Sequence, residues 1–378
     1  MKKKFTDLVD FVGGKPVLFE GTKPYVSTGA LKSTTISRED IELVEFINRP
    51  SRADLEVKKD DILFAKMAFT DKRILIDNDT SNYIYSTGFF AVRAKPNIIT
   101  TECLYYLLNS KTFKDQKDAN STGATQKAIT NSGLKKIYLR IPNYNNQKEI
   151  AEILSNIEKI ISFKERQLKE YDQLIKSRFV EMFGNPIINE KNHEKAKLKE
   201  LGLLNRGKSK HRPRNAPELL GGIYPLIQTG DISNSDLYIK EYNSTYSELG
   251  LQQSKMWNKG TLCITIAANI AKTGILDFDA CFPDSVVGFI PNIRTNNIYI
   301  HYWFTFFQEI LENQAPESAQ KNINLKILGE LDVIVPPKEQ KDIFASFVEQ
   351  VDKLKFEVQK SLDESQMLFD SLMQEYFG

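Results

Sequence analysis

One stretch of this 378-residue chain carries the letters of a phosphate-binding loop: Gly202-Leu-Leu-Asn-Arg-Gly207-Lys208-Ser209 satisfies G-x-x-x-x-G-K-[ST]. Such a loop cradles phosphate because a buried strand enters it and a helix leaves it, which aims backbone N–H groups and a helix dipole at the anion. The flanks do not supply that frame. Lys195-Ala-Lys-Leu-Lys-Glu200 alternates like an exposed segment, and Pro213 and Pro217 interrupt the helix that would have to follow. Glu56-Val-Lys58 has the E-x-K half of a nuclease site, but no suitably spaced Pro-Asp precedes it. An adenine or cytosine methyltransferase needs a Gly-rich cofactor loop and a [DNS]-P-P-[YF] segment, whereas Pro336-Pro337 is followed by Lys338. Gly-x-Ser-x-Gly, His-Glu-x-x-His and a plausible Cys–His couple are missing too, so nucleophilic and metal hydrolysis have no visible machinery. His193, His211 and His301 fit no metal spacing, and Cys103, Cys263 and Cys281 form no C-x-x-C pair. Three buried thiols and no bound metal are expected.

What remains is binding chemistry. Asn205 to Asn215 holds Arg206, Lys208, Lys210, Arg212 and Arg214 with no acid, beside turn-forming prolines, which makes a loop able to hold phosphates. Lys15 and Lys66 are further cationic candidates. Tyr25, Ser27 and Thr28 precede Gly29, and Gln228 and Thr229 precede Gly230; these are hydrogen-bonding residues at turns where glycine permits close backbone approach. Gln126-Lys127 and Gln320-Lys321-Asn322 lie in Ser/Thr/Ala-rich loops and offer amides that can bond adenine bidentately, with a lysine for phosphate. Each motif also has a plainer reading, as turn, helix cap or solvated charge run.

The elements that must position these residues are written twice. Pro24-Tyr-Val-Ser-Thr-Gly29 matches Pro225-Leu-Ile-Gln-Thr-Gly230, and Lys59-Asp-Asp-Ile-Leu-Phe64 matches Lys259-Gly-Thr-Leu-Cys-Ile264. Thr125-Gln-Lys-Ala-Ile129 likewise matches Ala319-Gln-Lys-Asn-Ile323, and Ile137-Tyr-Leu-Arg-Ile-Pro142 matches Leu331-Asp-Val-Ile-Val-Pro336. Short apolar runs such as Ile62–Ala65, Phe89–Val92, Thr261–Ile266 and Val286–Ile290 read as strands. Residues 101–117 and 298–312 read as a buried helix in each half, giving an α+β domain.

A long helix follows Pro142 and another follows Pro336-Pro337. The first shows a seam of Ile150, Leu154, Ile157, Ile161, Leu168, Tyr171, Ile175 and Met182, interrupted by Lys164 and Arg178. The second places Ile343, Phe347, Val351, Leu354, Val358, Leu362, Leu368, Leu372 and Tyr376 on its seam. Helices of roughly 37 residues span about 55 Å. Two matched helices with heavily charged outer faces are expected to pair with each other rather than to dock separately on their own domains.

Composition agrees with a folded, multidomain chain: 41% hydrophobic, 11% aromatic and 26% charged residues bury real cores, and the length predicts roughly two to three domains. No stretch approaches the ~18–20 uninterrupted apolar residues of a membrane span, and Met1-Lys2-Lys3-Lys4-Phe5 runs into Asp7 and Asp10 without an apolar signal core, so a cytoplasmic protein is expected. The net charge of +2 hides a bias, because residues 1–146 carry 23 basic against 17 acidic residues.

Ser-Thr-Gly-Ala-Thr-Gln126-Lys and Glu-Ser-Ala-Gln320-Lys-Asn before each closing strand, then Pro-Pro-Lys-Glu339-Gln340 opening a long helix, resemble the DNA specificity subunit of type I restriction–modification systems. The resemblance covers essentially the whole chain, and its specificity lies in the combination. One departure is that the first helix opens Pro142-Asn-Tyr-Asn-Asn-Gln147, without the second Pro or the Glu, so the first junction is expected to be shaped differently. The resemblance implies two similar target recognition domains, residues 1–142 and 185–336, separated by two antiparallel helices, 143–184 and 337–378, that form a coiled-coil spacer. It implies a non-catalytic reader of bipartite double-stranded DNA, on which two S-adenosylmethionine-carrying modification subunits dock to methylate adenine. Two restriction subunits using ATP and Mg can join, while this chain binds no cofactor of its own. The competing readings are a P-loop ATPase or nuclease acting alone, which nucleotide binding by the isolated chain would support, and a coiled-coil scaffold, which failure to retain duplex DNA at any salt would support.

Overall fold

The structure, a computed structural model, describes residues 2–267, 270–306 and 323–378. It divides into two compact units, residues 1–165 with 360–378, and residues 166–359.

In the first unit Ile62–Ala65 is buried along its whole length, which is why it reads as an unbroken apolar run. It lies inside an antiparallel sheet ordered Val9–Val12, Phe89–Ala94, Ile62–Ala65, Arg73–Leu75. A second sheet is ordered Glu42–Glu45, Thr22–Val26, Ile84–Ser86, Ala53–Leu55, with its middle pair parallel. The expected helix is present in two pieces, Thr101–Leu107 and Lys111–Ala119, because the Ser110 hydroxyl accepts from Phe113 N and starts a new cap. Lys2–Lys4 closes the unit by pairing with Tyr138–Arg140.

The second unit repeats this plan with one strand added to its first sheet. One sheet is ordered Gly202–Arg206, Val286–Pro291, Leu262–Thr265, Thr273–Leu276, extended by Tyr238–Ile239. The other is ordered Ser244–Tyr246, Leu220–Leu226, Ala280–Cys281, Met256–Trp257, again with a parallel middle pair. Glu194–Lys197 pairs with Asp332–Val335 as the closing strands. The buried helix runs Asn297–Trp303 and continues as a 3₁₀ turn through Phe306; the rest of its expected span lies outside the described residues. The duplication is therefore one of hydrogen-bonding topology as well as of sequence. Cys103, Cys263 and Cys281 are buried free thiols.

The long helices run Tyr144–Phe183 and Lys338–Phe377, 40 residues each. Each contributes to both units. In the first, Ile150, Leu154 and Ile157 share a core with Phe369, Met373 and Phe377, and Lys164 Nζ donates to Ser361 Oγ at 2.6 Å and Ser365 Oγ at 2.9 Å. In the second, Phe183 and Phe179 meet Phe344 at 5.4 and 5.6 Å between ring centroids, the Arg178 guanidinium lies over the Phe347 ring, and Asp172 pairs with Lys355 at 2.7 Å. One residue number falls as its partner rises, so the helices run antiparallel there. They pair with each other and also dock on the globular cores, since Phe179 stacks on Tyr299 at 5.5 Å and Phe369 meets Tyr106. The expected choice between pairing and docking was a false one, because aromatic residues near the helix ends face the cores.

The seam of the second helix also differs from its expected register. Ile343, Leu354 and Leu368 are 56%, 51% and 51% exposed, while Phe344, Val348, Phe369, Met373 and Phe377 are buried. Val351 is buried as expected and Phe347, Leu372 and Tyr376 pack partly against the cores, but toward both ends the most buried positions lie one residue on from those predicted. Two adjacent apolar stripes fit a 3.6-residue helix, and the larger rings take the core. The two helix junctions, expected to differ, are built alike: Gln147 Nε2 donates to Pro142 O at 3.2 Å, and Lys341 Nζ donates to Pro336 O at 2.7 Å. No helix among the described residues is long and apolar enough to cross a membrane.

Candidate nucleic-acid interface

In the first unit the loops after Thr22–Val26, Ile62–Ala65 and the second short helix come together. Ala68 N donates to Lys127 O, Ile129 N to Lys66 O and Lys66 N to Gly88 O, all at 2.8–2.9 Å. Lys72 Nζ reaches Thr28 O at 2.6 Å. Thr28, Lys66, Gln126 and Lys127 thus belong to one loop cluster. Gln126 and Lys127 are exposed there, and Gln126 Nε2 lies 3.2 Å from Met67 Sδ. Lys66 is less free: its Nζ donates to Thr87 O at 2.7 Å over the Phe90 ring, and burial pulls its pKa below the usual lysine value.

Other members of the expected set have structural roles. Tyr25 is 5% exposed and packs with Val44, Ala53 and Ile84, so the candidate DNA contact is corrected to a core residue beneath the turn. Its side chain alternates inward along a strand whose next residues enter the loop. The Ser27 hydroxyl accepts from Ala30 N at 3.2 Å and shapes that turn. Lys15 is exposed after Gly14, whose backbone bridges to Glu56. Glu56 itself pairs with Lys23 at 3.0 Å and accepts from Val17 N. The glycine requirement also moves. Gly29 and Gly230 have no positive φ and room for a side chain, whereas a Cβ on Gly88 would come within 2.6 Å of Thr28 Cγ2.

In the second unit the phosphate-loop pattern dissolves into a sheet. Gly202–Arg206 is a strand paired with Val286–Pro291, and Gly207 N continues the ladder to Val286 O at 2.9 Å, so these N–H groups are committed. No helix starts at Lys208-Ser209; the next helical turn is Pro217–Leu219. The expected +5 loop is also partly neutralised. Asp284 pairs with Arg214 at 2.5 Å and Arg212 at 3.6 Å, and its carbonyl accepts from Arg206 Nε. Reading Asn205 to Asn215 alone misses this acid, which the fold returns from far downstream in the sequence. Arg212 further donates to Ser209 O and His211 O, which makes it a loop brace. Lys208 and Lys210 remain exposed, without an ion pair among the described residues.

Gln228 is exposed, with its N bonded to Asp231 Oδ2 at 2.8 Å and its Nε2 3.4 Å from Ser244 Oγ, and Thr229 opens the short helix Thr229–Ser233. Arg214, Gln228 and Thr229 line one groove with Ser209, Tyr246 and Ser285. Gln320, Lys321 and Asn322 lie outside the described residues. Lys72, half-buried on Thr28 O, and Lys117, buried on the hairpin carbonyls of Met67 and Thr70, carry no local sequence signal for these roles.

This duplicated arrangement has known relatives. The model of the family described as type I restriction modification DNA specificity domain matches residues 4–171 and again 190–365. The chain is 27% identical to the type I restriction enzyme HindI specificity subunit of Haemophilus influenzae over 42% of its own length but only 35% of that protein. It is 21% identical to the putative type I restriction enzyme MjaX specificity subunit of Methanocaldococcus jannaschii over 85% of its length and 79% of that protein. Among solved structures, the type I restriction–modification S subunit from M. genitalium shares the fold at TM-score 0.61 and 17% identity, covering 100% of this chain and 96% of that one. A chain from a structure concerned with complex assembly and conformational transition of the type I R-M system does so at TM-score 0.59 and 19% identity, covering 100% and 97%. With both of its halves matched by the family model, the chain belongs to the type I restriction modification DNA specificity family.

Proposed function

We propose that this chain is the DNA-reading subunit of a type I restriction–modification complex and is not itself a catalyst. Residues 1–142 read one part of a split duplex target, residues 185–336 read the other, and the helical segments 143–184 and 337–378 join them. Two modification subunits bearing S-adenosylmethionine dock on the chain and methylate adenine. Where the system also cleaves, two restriction subunits with ATP and Mg join. The observation that carries this reading is the duplication: two sheets with the same strand order recur in each unit, while the loops they carry differ, as a reader of two unlike sequences requires. Lys127, Lys208 and Lys210 supply charge for phosphates, which positions the protein, and the exposed amides of Gln126 and Gln228 suit base edges. Gln320, Lys321 and Asn322 are the counterparts of the Gln126 loop by sequence.

The test mixes the purified chain, its cognate modification subunit and duplex DNA with labelled S-adenosylmethionine. Methyl transfer is expected only when both proteins are present, and only within a split motif. Transfer by this chain alone, or retention of ATP by it, would overturn the reading.

A further inference from the structure

Phe69 sits at the tip of the hairpin between Ile62–Ala65 and Arg73–Leu75, 77% exposed and at φ +57°. A bulky aromatic residue in the left-handed region is strained, and an exposed ring gains nothing from burial, so both features oppose stability. Yet the tip is held firmly. Phe69 N donates to Asp118 Oδ1 at 2.9 Å, and Lys117 Nζ, 3% exposed, donates to Thr70 O at 2.7 Å and Met67 O at 3.2 Å. Thr70 Oγ1 adds a bond to Met67 O, and Ala68 N bonds Lys127 O from the flanking loop. Consecutive residues of the helix Lys111–Ala119 therefore clamp both sides of the tip, and the scaffold spends a buried lysine on displaying one ring.

The segments at the tip are polar: Thr70 follows the ring, Lys127 is exposed on the loop whose backbone bonds Ala68, Gln126 reaches Met67 Sδ, and Asp118 and Asp71 accept from Phe69 N and Ser33 Oγ while keeping their charge. A single exposed ring on a tip whose neighbours in sequence and hydrogen bonding are Thr70, Asp71, Asp118 and Lys127 is not by itself the contiguous apolar patch of a protein-docking surface. It suits the face of a nucleobase, since every base presents a π-face and an inserted side chain can unstack a step. The matching hairpin of the second half reads Ile266-Ala-Ala-Asn-Ile-Ala-Lys272 and has no aromatic residue, so the feature belongs to one half alone.

We propose that Phe69 is a wedge that stacks on a base at an opened step of the DNA part read by residues 1–142. The proposal rests on the DNA-reading function above. The chemistry assigned to the complex opens the duplex at the methylated base, and a rigidly held ring in the first half can support an opened step beside it.

The experiment uses the chain assembled with its modification subunits, on duplexes in which 2-aminopurine replaces one base at a time across both target parts. The wild-type assembly is expected to raise fluorescence at a step of the first part other than the methylated adenine, with no counterpart in the second. Phe69→Trp should keep that signal. Phe69→Ala should lose it and weaken cognate binding roughly tenfold to a hundredfold. Phe69→Gly, which suits the backbone, should match or raise the melting temperature while losing the same signal, separating display from folding. Unchanged affinity and fluorescence in Phe69→Ala overturn the wedge, and so does loss of modification-subunit co-elution in that variant, which would make the ring a protein contact. If the wild-type assembly selects no split sequence, both readings fall; failure confined to the variants removes this one alone.

Discussion

Lys341 and Gln147 hold the same place in the two halves, each buried at the start of a long helix and each bonded to the carbonyl of the proline that ends the preceding strand. The lysine carries a cost the glutamine does not. Burial holds the Lys341 pKa down to about 8, with Arg294 nearby pushing the same way. Unfolded, the same group titrates near ~10.4, so between those pH values the unfolded chain binds a proton that the folded chain does not, and stability rises with pH through that window. Below it the folded state carries a charge in a poor environment, a penalty on the order of 3 kcal/mol. Lys341→Gln should therefore raise the denaturation midpoint at pH 7 and flatten its rise between pH 8 and 10.5, in urea titrations run beside the parent chain. Among the basic-loop residues, Lys208 and Lys210 differ from Arg212 and Arg214 in having no carboxylate partner among the described residues. Removing one cation that neutralises a phosphate should reduce the log–log salt slope of DNA binding by ~0.9. Lys208→Ala with Lys210→Ala should thus weaken cognate and non-cognate binding alike with a shallower slope, measured by titration at several salt concentrations on the assembled methyltransferase. An unchanged slope would remove these lysines from the interface.

The register of the second long helix is decided by its rings. Phe344 meets Phe179, Phe183 and Tyr302 at 5.4–5.6 Å, while its neighbour Ile343 is more than half exposed. Truncating a buried phenylalanine costs roughly 3–5 kcal/mol, whereas an exposed isoleucine away from special features stays within about 0.5 kcal/mol. Phe344→Ala should accordingly shift the urea midpoint strongly and Ile343→Ala hardly at all. The opposite order would restore the seam expected from the 4-residue spacing. Lys355 supports the same packing from the polar side: nearly buried, it bridges Asp172 on the first helix and Asp236 at the edge of the second unit's globular part, at 2.7 and 3.0 Å.

At the scale of the whole chain, the proposed reading function, carried by two units with one topology and different loops, predicts modular specificity. Exchanging residues 1–142 for the corresponding half of a relative should change one part of the recognised sequence and leave the other intact. Sequencing of methylated adenines in a host carrying the hybrid reads this directly. If a single exchange altered both parts together, recognition would be shared between the halves and the modular account would fail. Removing Phe69 should also affect only the first part, because the second hairpin lacks an aromatic residue.

The duplication, the strands and the two long helices were legible in the residues because each rests on a local pattern: apolar runs between turn formers, proline before a helix, and the same order of motifs in each half. That Gln126 and Lys127 lie in an exposed loop was legible for the same reason. Tyr25 was not, since a strand's alternation leaves open which face is buried until Val44, Ala53 and Ile84 of the neighbouring strands gather with it over Phe19. The charge of the basic loop was misread because Asp284 approaches it only through the pairing of Gly202–Arg206 with Val286–Pro291. The phosphate-loop pattern likewise lost its meaning once those residues became a strand, whose N–H groups bond a neighbour instead of an anion. Phe69 is one of 23 phenylalanines in the sequence. Only the three-dimensional arrangement, with Lys117 and Asp118 brought under the hairpin from about fifty residues away, distinguishes an aromatic residue held in solvent from those in the core. Local physics decided what the segments are; long-range hydrogen bonds and charge pairing decided which side chains face outward and which charges remain free.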